Sequence, residues 1–254
     1  MSRPNTAEGV PSRAPATVRR LTTAGFLLIA SGLLAAVGAF WLSASFGWPD
    51  VLDDAGGVAL PRFADTETAV RTAFYLLMVS SLLLIPTAIH LEQLFGGTSR
   101  AGARTVTVFG VLGGFSQVLG WVRWPIAVPH LSDAYAATTD EVTRQAVAAS
   151  YDVLNRYSGG ALGEHLGWVF QGLWAIGIAL LLMRATEIPR WFSGLGLGLA
   201  VAWWPLLVAS GLAEADWLAS IGSTISAVWY VWLLALGALL VARPVGGSGR
   251  VAAA

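Results

Sequence analysis

Six apolar runs, each close to the thickness of a lipid bilayer, limit what this chain can become. They fall at residues 21–44, 69–91, 104–124, 161–183, 191–212 and 217–242. A hydrocarbon core about 30 Å thick is crossed by roughly 20 helical residues. A lipid-exposed backbone must close its own hydrogen bonds, and none of these runs alternates like a barrel strand, so each is read as a helix. The expected fold is all-α: an integral membrane bundle of six transmembrane helices forming one domain over residues 21–242. The first run is longer than the roughly 7–15 residues of a cleaved signal segment and is read as an uncleaved span. Residues 1–20, rich in Ser, Pro, Thr and Arg, are expected to be a disordered tail, and 243–254 a second tail.

Composition narrows the chemistry. Only 12% of the 254 residues are charged, about half the share in a soluble domain. All 15 basic residues are arginine, so no lysine is present to form a Schiff base. The absence of cysteine removes disulfides, thiolate nucleophiles, Cys-ligated zinc and iron–sulfur clusters. A net charge of zero offers no footprint for nucleic acid. No phosphate-binding loop or nucleophile elbow is present, and no cofactor is expected. The bilayer itself is the expected partner.

Arginine also orients the bundle. With the N-terminus inside, ten arginines lie on the cytoplasmic side and five (Arg62, Arg71, Arg123, Arg144 and Arg156) on the outer side. The positive-inside rule then places both termini in the cytoplasm. The outer connections are the long ones, at 45–68 and 125–160. In the second, Thr138 and Glu141 stand at capping-box spacing. Val142, Ala146, Val147, Val153, Leu154 and Tyr157 follow on one helical face. An amphipathic helix lying on the outer surface, between spans three and four, is expected there, with Gly159-Gly160 bending the chain into span four.

Three small-residue pairs, Gly110/Gly114, Gly163/Gly167 and Gly194/Gly198, predict close helix packing and leave room for homo- or hetero-oligomers. Pro86 and Pro205 are expected to kink their spans. Of the twelve tryptophans, Trp48, Trp121, Trp124, Trp168, Trp191 and Trp217 are read as interfacial belts. Trp174, Trp203, Trp204, Trp229 and Trp232 lie deeper, as aromatic packing or as the walls of a pocket for a lipophilic ligand.

The candidate site lies where spans three and four approach the outer face. Glu164, Trp168, Gln171, Ala175 and Ile178 share a helical face, with His165 turned about 100° away. On span three, Phe109, Gly113, Ser116, Gly120 and Arg123 make a small, polar stripe. The two spans run antiparallel, so Arg123 and Glu164 reach similar depth. Ionisable groups in a membrane usually mark pathways or sites. One reading is an outward-facing pocket in which Arg123 holds an anion or poises Glu164, Glu164 and His165 exchange protons, and Gln171 forms the floor. The other is a structural Arg123–Glu164 ion pair with interhelical hydrogen bonds from Gln171 and Ser116. His130 and Asp133 have irregular spacing for metal ligation, and His90 with Glu92 reads as an interfacial cluster.

The segments Asn155-x-Tyr157-x-Gly159, Leu162-Gly163-Glu164-His165-Leu166-Gly167, Gly172-x-Trp174 and Pro189-Arg190-Trp191 resemble a bacterial family of polytopic membrane proteins known as a domain of unknown function. The resemblance implies a multi-pass protein of the bacterial plasma membrane and brings no activity or catalytic residue. Three functions follow from the sequence: binding or transport of a small molecule, including a lipophilic one, through the pocket; an intramembrane enzyme acting on a lipid or isoprenoid; and an accessory subunit packed through its glycine faces. The first is the leading expectation, and a non-enzymatic role is favoured.

Overall fold

The computed structural model describes residues 16–92, 100–185, 188–213 and 215–242. Its regular structure is helical throughout: α1 (Ala16–Phe46), α2 (Gly56–Leu91), α3 (Arg100–Trp121), α4 (Arg123–Ala137), α5 (Glu141–Leu154), a π-helical segment (Asn155–Leu166), α6 (Gly167–Leu182), α7 (Arg190–Ala213) and α8 (Asp216–Ala242). Six stretches are long and apolar enough to cross a bilayer. α1 begins at Ala16, inside the expected tail; residues 1–15 and 243–254 lie outside the described residues.

The spans close into a ring. α1 packs on α2, α2 on α3, α3 on α6, α6 on α7, α7 on α8, and α8 returns to α1. The closing contact is made by glycines on both sides. A Cβ on Gly25 would come within 2.7 Å of the Gly237 carbonyl oxygen, and one on Gly237 within 2.9 Å of that of Gly25. Gly110 and Gly114 meet α2 as expected, against Ala88 and the Ser81 carbonyl. Gly194 and Gly198 do not: nothing lies within 4 Å of a Cβ at either. It is Gly196, between them, that lies beneath the Trp232 ring.

Three helical stretches are longer than a bilayer needs. α2 has 36 residues, α3 with α4 spans 37 over Ala101–Ala137, and α5 through α6 spans 42 over Glu141–Leu182. At 1.5 Å per residue these run about 54–63 Å, roughly twice the hydrocarbon core. The excess gathers at the end of the bundle that carries the connection at 47–55, as a helical head. The segments expected as loops at 56–68 and 125–137 are therefore helix. Pro125 is accommodated because it falls in the first turn of α4, where backbone N–H groups have no helical partner. In α2 the backbone departs from helical values at Thr66, not at Pro86.

Two cores result. The larger, at span level, is built from α1, α6, α7 and α8 around the deep tryptophans. Trp229 stands at its centre, with Trp174, Trp203 and Trp232 at ring-centroid distances of 6.1, 5.7 and 6.4 Å. The second lies at the head, around Trp124. Trp124 stacks on Phe74 at 4.8 Å and meets Phe46 edge-on at 5.2 Å. It is fully buried, which corrects its assignment to an interfacial belt; Trp191 and Trp217 are exposed.

Helix α5 occupies the expected position, but with a different face inward. Asp140 caps it, accepting the Thr143 N–H at 2.9 Å. Val142 is 75% exposed, and Val153 and Tyr157 are exposed as well. The docked face carries Val147, Ala148, Tyr151, Asp152 and Asn155. A Cβ on Gly56 would meet the Ala148 carbonyl oxygen at 2.5 Å. The Asp152 carboxylate accepts the Gly56 N–H at 2.7 Å and so supplies the N-terminal cap that α2 lacks locally. The Asp152 joint and the burial of Tyr151 against Trp124 together set the orientation of α5. The chain then continues through Gly159-Gly160 as π-helix with no bend out of helical structure.

Candidate functional site

Arg123 is the organising side chain of the head's base. It is 4% exposed. Its Nε and Nη2 donate to the Asn155 side-chain oxygen at 3.2 and 2.9 Å, and Nη1 donates to the Gly120 carbonyl. The guanidinium carbon lies 5.5 Å from the Trp124 ring centroid. Asn155 in turn donates to the Leu52 carbonyl at 2.7 Å. One arginine thereby ties the α3–α4 junction, the start of the π segment and the 47–55 connection together.

Glycine makes this fit possible. A Cβ on Gly159 would lie 2.3 Å from Arg123 Nη2 and 2.5 Å from its Cζ. A Cβ on Gly120 would lie 2.6 Å from the Gly163 Cα, and Ser158 donates to the Leu119 carbonyl at 2.7 Å. The π-helix is the local consequence of such a sequence. Gly159, Gly160 and Gly163 weaken the preference for an α-turn, and the wider turn lets their bare backbone lie against α3. Single π turns recur at functional sites; this one extends over 12 residues.

Glu164 is half-buried and lies within electrostatic range of Arg123 and Asp53. The expected Arg123–Glu164 ion pair is not formed. Among the described residues the ion pairs are Arg62–Asp54, Arg71–Glu67 and Arg104–Glu92. The last of these engages the Glu92 of the expected His90–Glu92 cluster. His165 is half-buried beside Glu164. His130 and Asp133 are exposed on α4, and among the described residues no three potential metal-ligating side chains converge.

Gln171 does not join this cluster. Seven residues along a mostly α-helical stretch carry it roughly 10 Å farther along the axis than Glu164. Buried Gln171 instead belongs to a hydrogen-bonded chain that crosses the bundle. Trp121 Nε1 donates to Ser81 Oγ at 3.2 Å, and Ser81 Oγ to Gln117 Oε1 at 3.2 Å. Gln117 Nε2 donates to Gln171 Oε1 at 2.6 Å, and Gln171 Nε2 to the Tyr230 oxygen at 2.8 Å. Asn155, Gln117, Ser81 and Tyr230 are absent from the sequence-derived site. Gln117 neighbours the predicted Ser116 on α3, so a search for amides facing each other across antiparallel spans is the signal that would have found it.

A family model described as a domain of unknown function, DUF4386, matches residues 23–237. No curated protein and no solved structure matches the chain.

Proposed function

The chain belongs to the DUF4386 family, and we propose that it is a plasma-membrane protein that binds or transports a small charged molecule at the Arg123–Glu164 cluster. The observation that carries this reading is a buried guanidinium and a half-buried carboxylate, within electrostatic range and not closed onto each other. Enclosed charges are costly unless paired. A ligand with an anionic group for Arg123 and a donor for Glu164 would complete both, and His165 is placed to take or give a proton. With the termini cytoplasmic, as the arginine distribution indicates, the head and this site face outward. Gly159 closes the cluster over the guanidinium, so entry requires the π segment to move.

Native mass spectrometry in mild detergent tests this by comparing wild type with Glu164→Gln and Arg123→Gln. The expected result is a defined small-molecule adduct on wild type that both variants lose, Glu164→Gln while melting normally. No adduct on wild type, or the same adduct on all three, refutes it.

One observation favours a second reading, in which the cluster is a structural clamp in an accessory subunit. Arg123 already holds the neutral oxygens of Asn155 and Gly120. In that case Glu164→Gln is indistinguishable from wild type, and a stable protein partner co-purifies in place of a ligand.

A further inference from the structure

The hydrogen-bonded chain through the bundle ends at a cavity. The Trp121 indole is a donor without acceptor capacity, so Ser81 Oγ must accept from it. The single Ser81 hydroxyl proton is shared between the Leu77 carbonyl at 3.0 Å and Gln117 Oε1 at 3.2 Å. Beyond it the Gln117 amide nitrogen donates to Gln171 and the Gln171 amide nitrogen to the Tyr230 oxygen, so both amide donations run toward Tyr230. Its own hydroxyl proton is used by no hydrogen bond among the described residues.

Tyr230 lines a cavity of about 60 Å³ between α6, α7 and α8, together with Trp168, Gln171, Trp203, Leu207 and Ser226. Trp203 is 2% exposed, and its indole N–H has no hydrogen-bond partner. Ser226 has committed its hydroxyl proton to the Ser223 carbonyl at 2.9 Å. The cavity thus offers one unused donor, the Tyr230 O–H, between aromatic and aliphatic walls, with the unpartnered Trp203 indole packed beside it. Unpaired buried donors of this kind cost free energy until an acceptor meets them. Tyr230 lies near the middle of the 26-residue span Trp217–Ala242, at a depth where a strongly hydrated ligand is disfavoured.

We propose that this cavity is a second binding site, for the carbonyl oxygen of a neutral lipophilic molecule. An acceptor without protons of its own complements the Tyr230 O–H, and the volume suits a carbonyl with part of its ring or chain. The remainder of the molecule extends along the apolar surface of the spans. The site stands independently of the Arg123–Glu164 cluster, which no lining residue belongs to.

Two sources supply such a carbonyl, a quinone head or a glyceryl ester. Calorimetric titration of the detergent-solubilised protein with decylubiquinone and, separately, with dioctanoylglycerol distinguishes them; n-decylbenzene is the control without a carbonyl. Saturable binding of one carbonyl compound per chain is expected, with no comparable binding of n-decylbenzene. Tyr230→Phe should weaken it about 5–10-fold, the effect of one lost hydrogen bond. Ser226→Leu fills the cavity while leaving the donor chain intact and should abolish binding. Glu164→Gln should bind as wild type does, which separates this site from the charged cluster. The proposal is overturned if neither carbonyl compound binds saturably, if n-decylbenzene binds equally well, or if Ser226→Leu binds as wild type does while melting at the same temperature.

Discussion

Replacing Gly159 by alanine tests whether the buried arginine fixes the head to the membrane bundle. The added methyl would sit 2.3 Å from Arg123 Nη2 and 2.5 Å from Cζ, well inside contact distance. The end of an arginine is ordinarily free to move away, but this one is not. Its three nitrogens are engaged by Asn155 and Gly120, and Trp124 lies alongside. Displacement must break at least the two bonds to Asn155 and leave that amide oxygen buried. Hydrogen bonds to a charged group contribute roughly 1.5–3 kcal/mol each, so the expected cost of two is about 3–6 kcal/mol. At about 2 °C per kcal/mol for a chain of this size, that corresponds to a fall of roughly 6–12 °C in melting temperature. The assay is thermal melting of the purified protein in detergent, with Gly160→Ala as control, because nothing lies within 4 Å of a Cβ there. If Gly159→Ala melts within 2 °C of Gly160→Ala, the guanidinium is not held as described and the clamp is refuted.

Tyr151 is buried with an unpartnered hydroxyl, so Tyr151→Phe should hold or raise the melting temperature, by up to about 1 kcal/mol of stability; a drop of more than 3 °C would show that the hydroxyl is used. The Asp140 carboxyl is held below its ordinary value by hydrogen bonds from the Thr143 hydroxyl and N–H. A depressed folded-state pKa gives stability that is complete above the unfolded value, near 3.9, and is lost as pH falls through the folded one. Amide-exchange protection at Thr143, corrected for intrinsic rate, should therefore be flat from pH 7 to 5 and decline below about pH 4, and Asp140→Ala should show low protection throughout. Gln171→Leu should cost about 2 kcal/mol by stranding Gln117 and Tyr230, while adding Gln117→Leu should recover part of that loss. Strict additivity of the two in thermal melts would contradict their direct bond.

The spans were readable because bilayer thickness sets a length and lipid sets a polarity. The head was not, because its helices are polar where they leave the bilayer and hydropathy ends where the helix does not. The stretch from 125 was expected as connection, yet the first-turn position of Pro125 costs α4 no hydrogen bond. The inward face of α5 was misread for a related reason. Its apolar residues Val142, Val153 and Tyr157 are exposed, while Asp152 and Asn155 make the joints. Arg123 and Glu164 were legible as neighbours because both are ionisable and both sit at the same end of antiparallel spans. Gln171 was misplaced because a shared helical face says nothing of the distance along the axis; the 12 residues of π-helix were not anticipated either, although the three glycines and the close approach to α3 explain them afterwards. Of the glycine pairs, those facing another span were identified correctly. Gly194/Gly198 was not, since spacing alone cannot say which side of a helix has a neighbour.

The arginine clamp also orders the events of membrane insertion. Arg123 is made 32 residues before Asn155, its main acceptor, and Leu52, whose carbonyl Asn155 caps, is made 103 residues before it. While the third span enters the bilayer, the guanidinium has an acceptor in its own helix, the Gly120 carbonyl, and must otherwise remain with water at the interface. The first connection meanwhile has an unmet carbonyl. Both are satisfied when a single side chain at the start of the fourth span arrives. A nascent chain that stops short of Asn155 therefore carries two separate polar defects, and a chain that passes it loses both together.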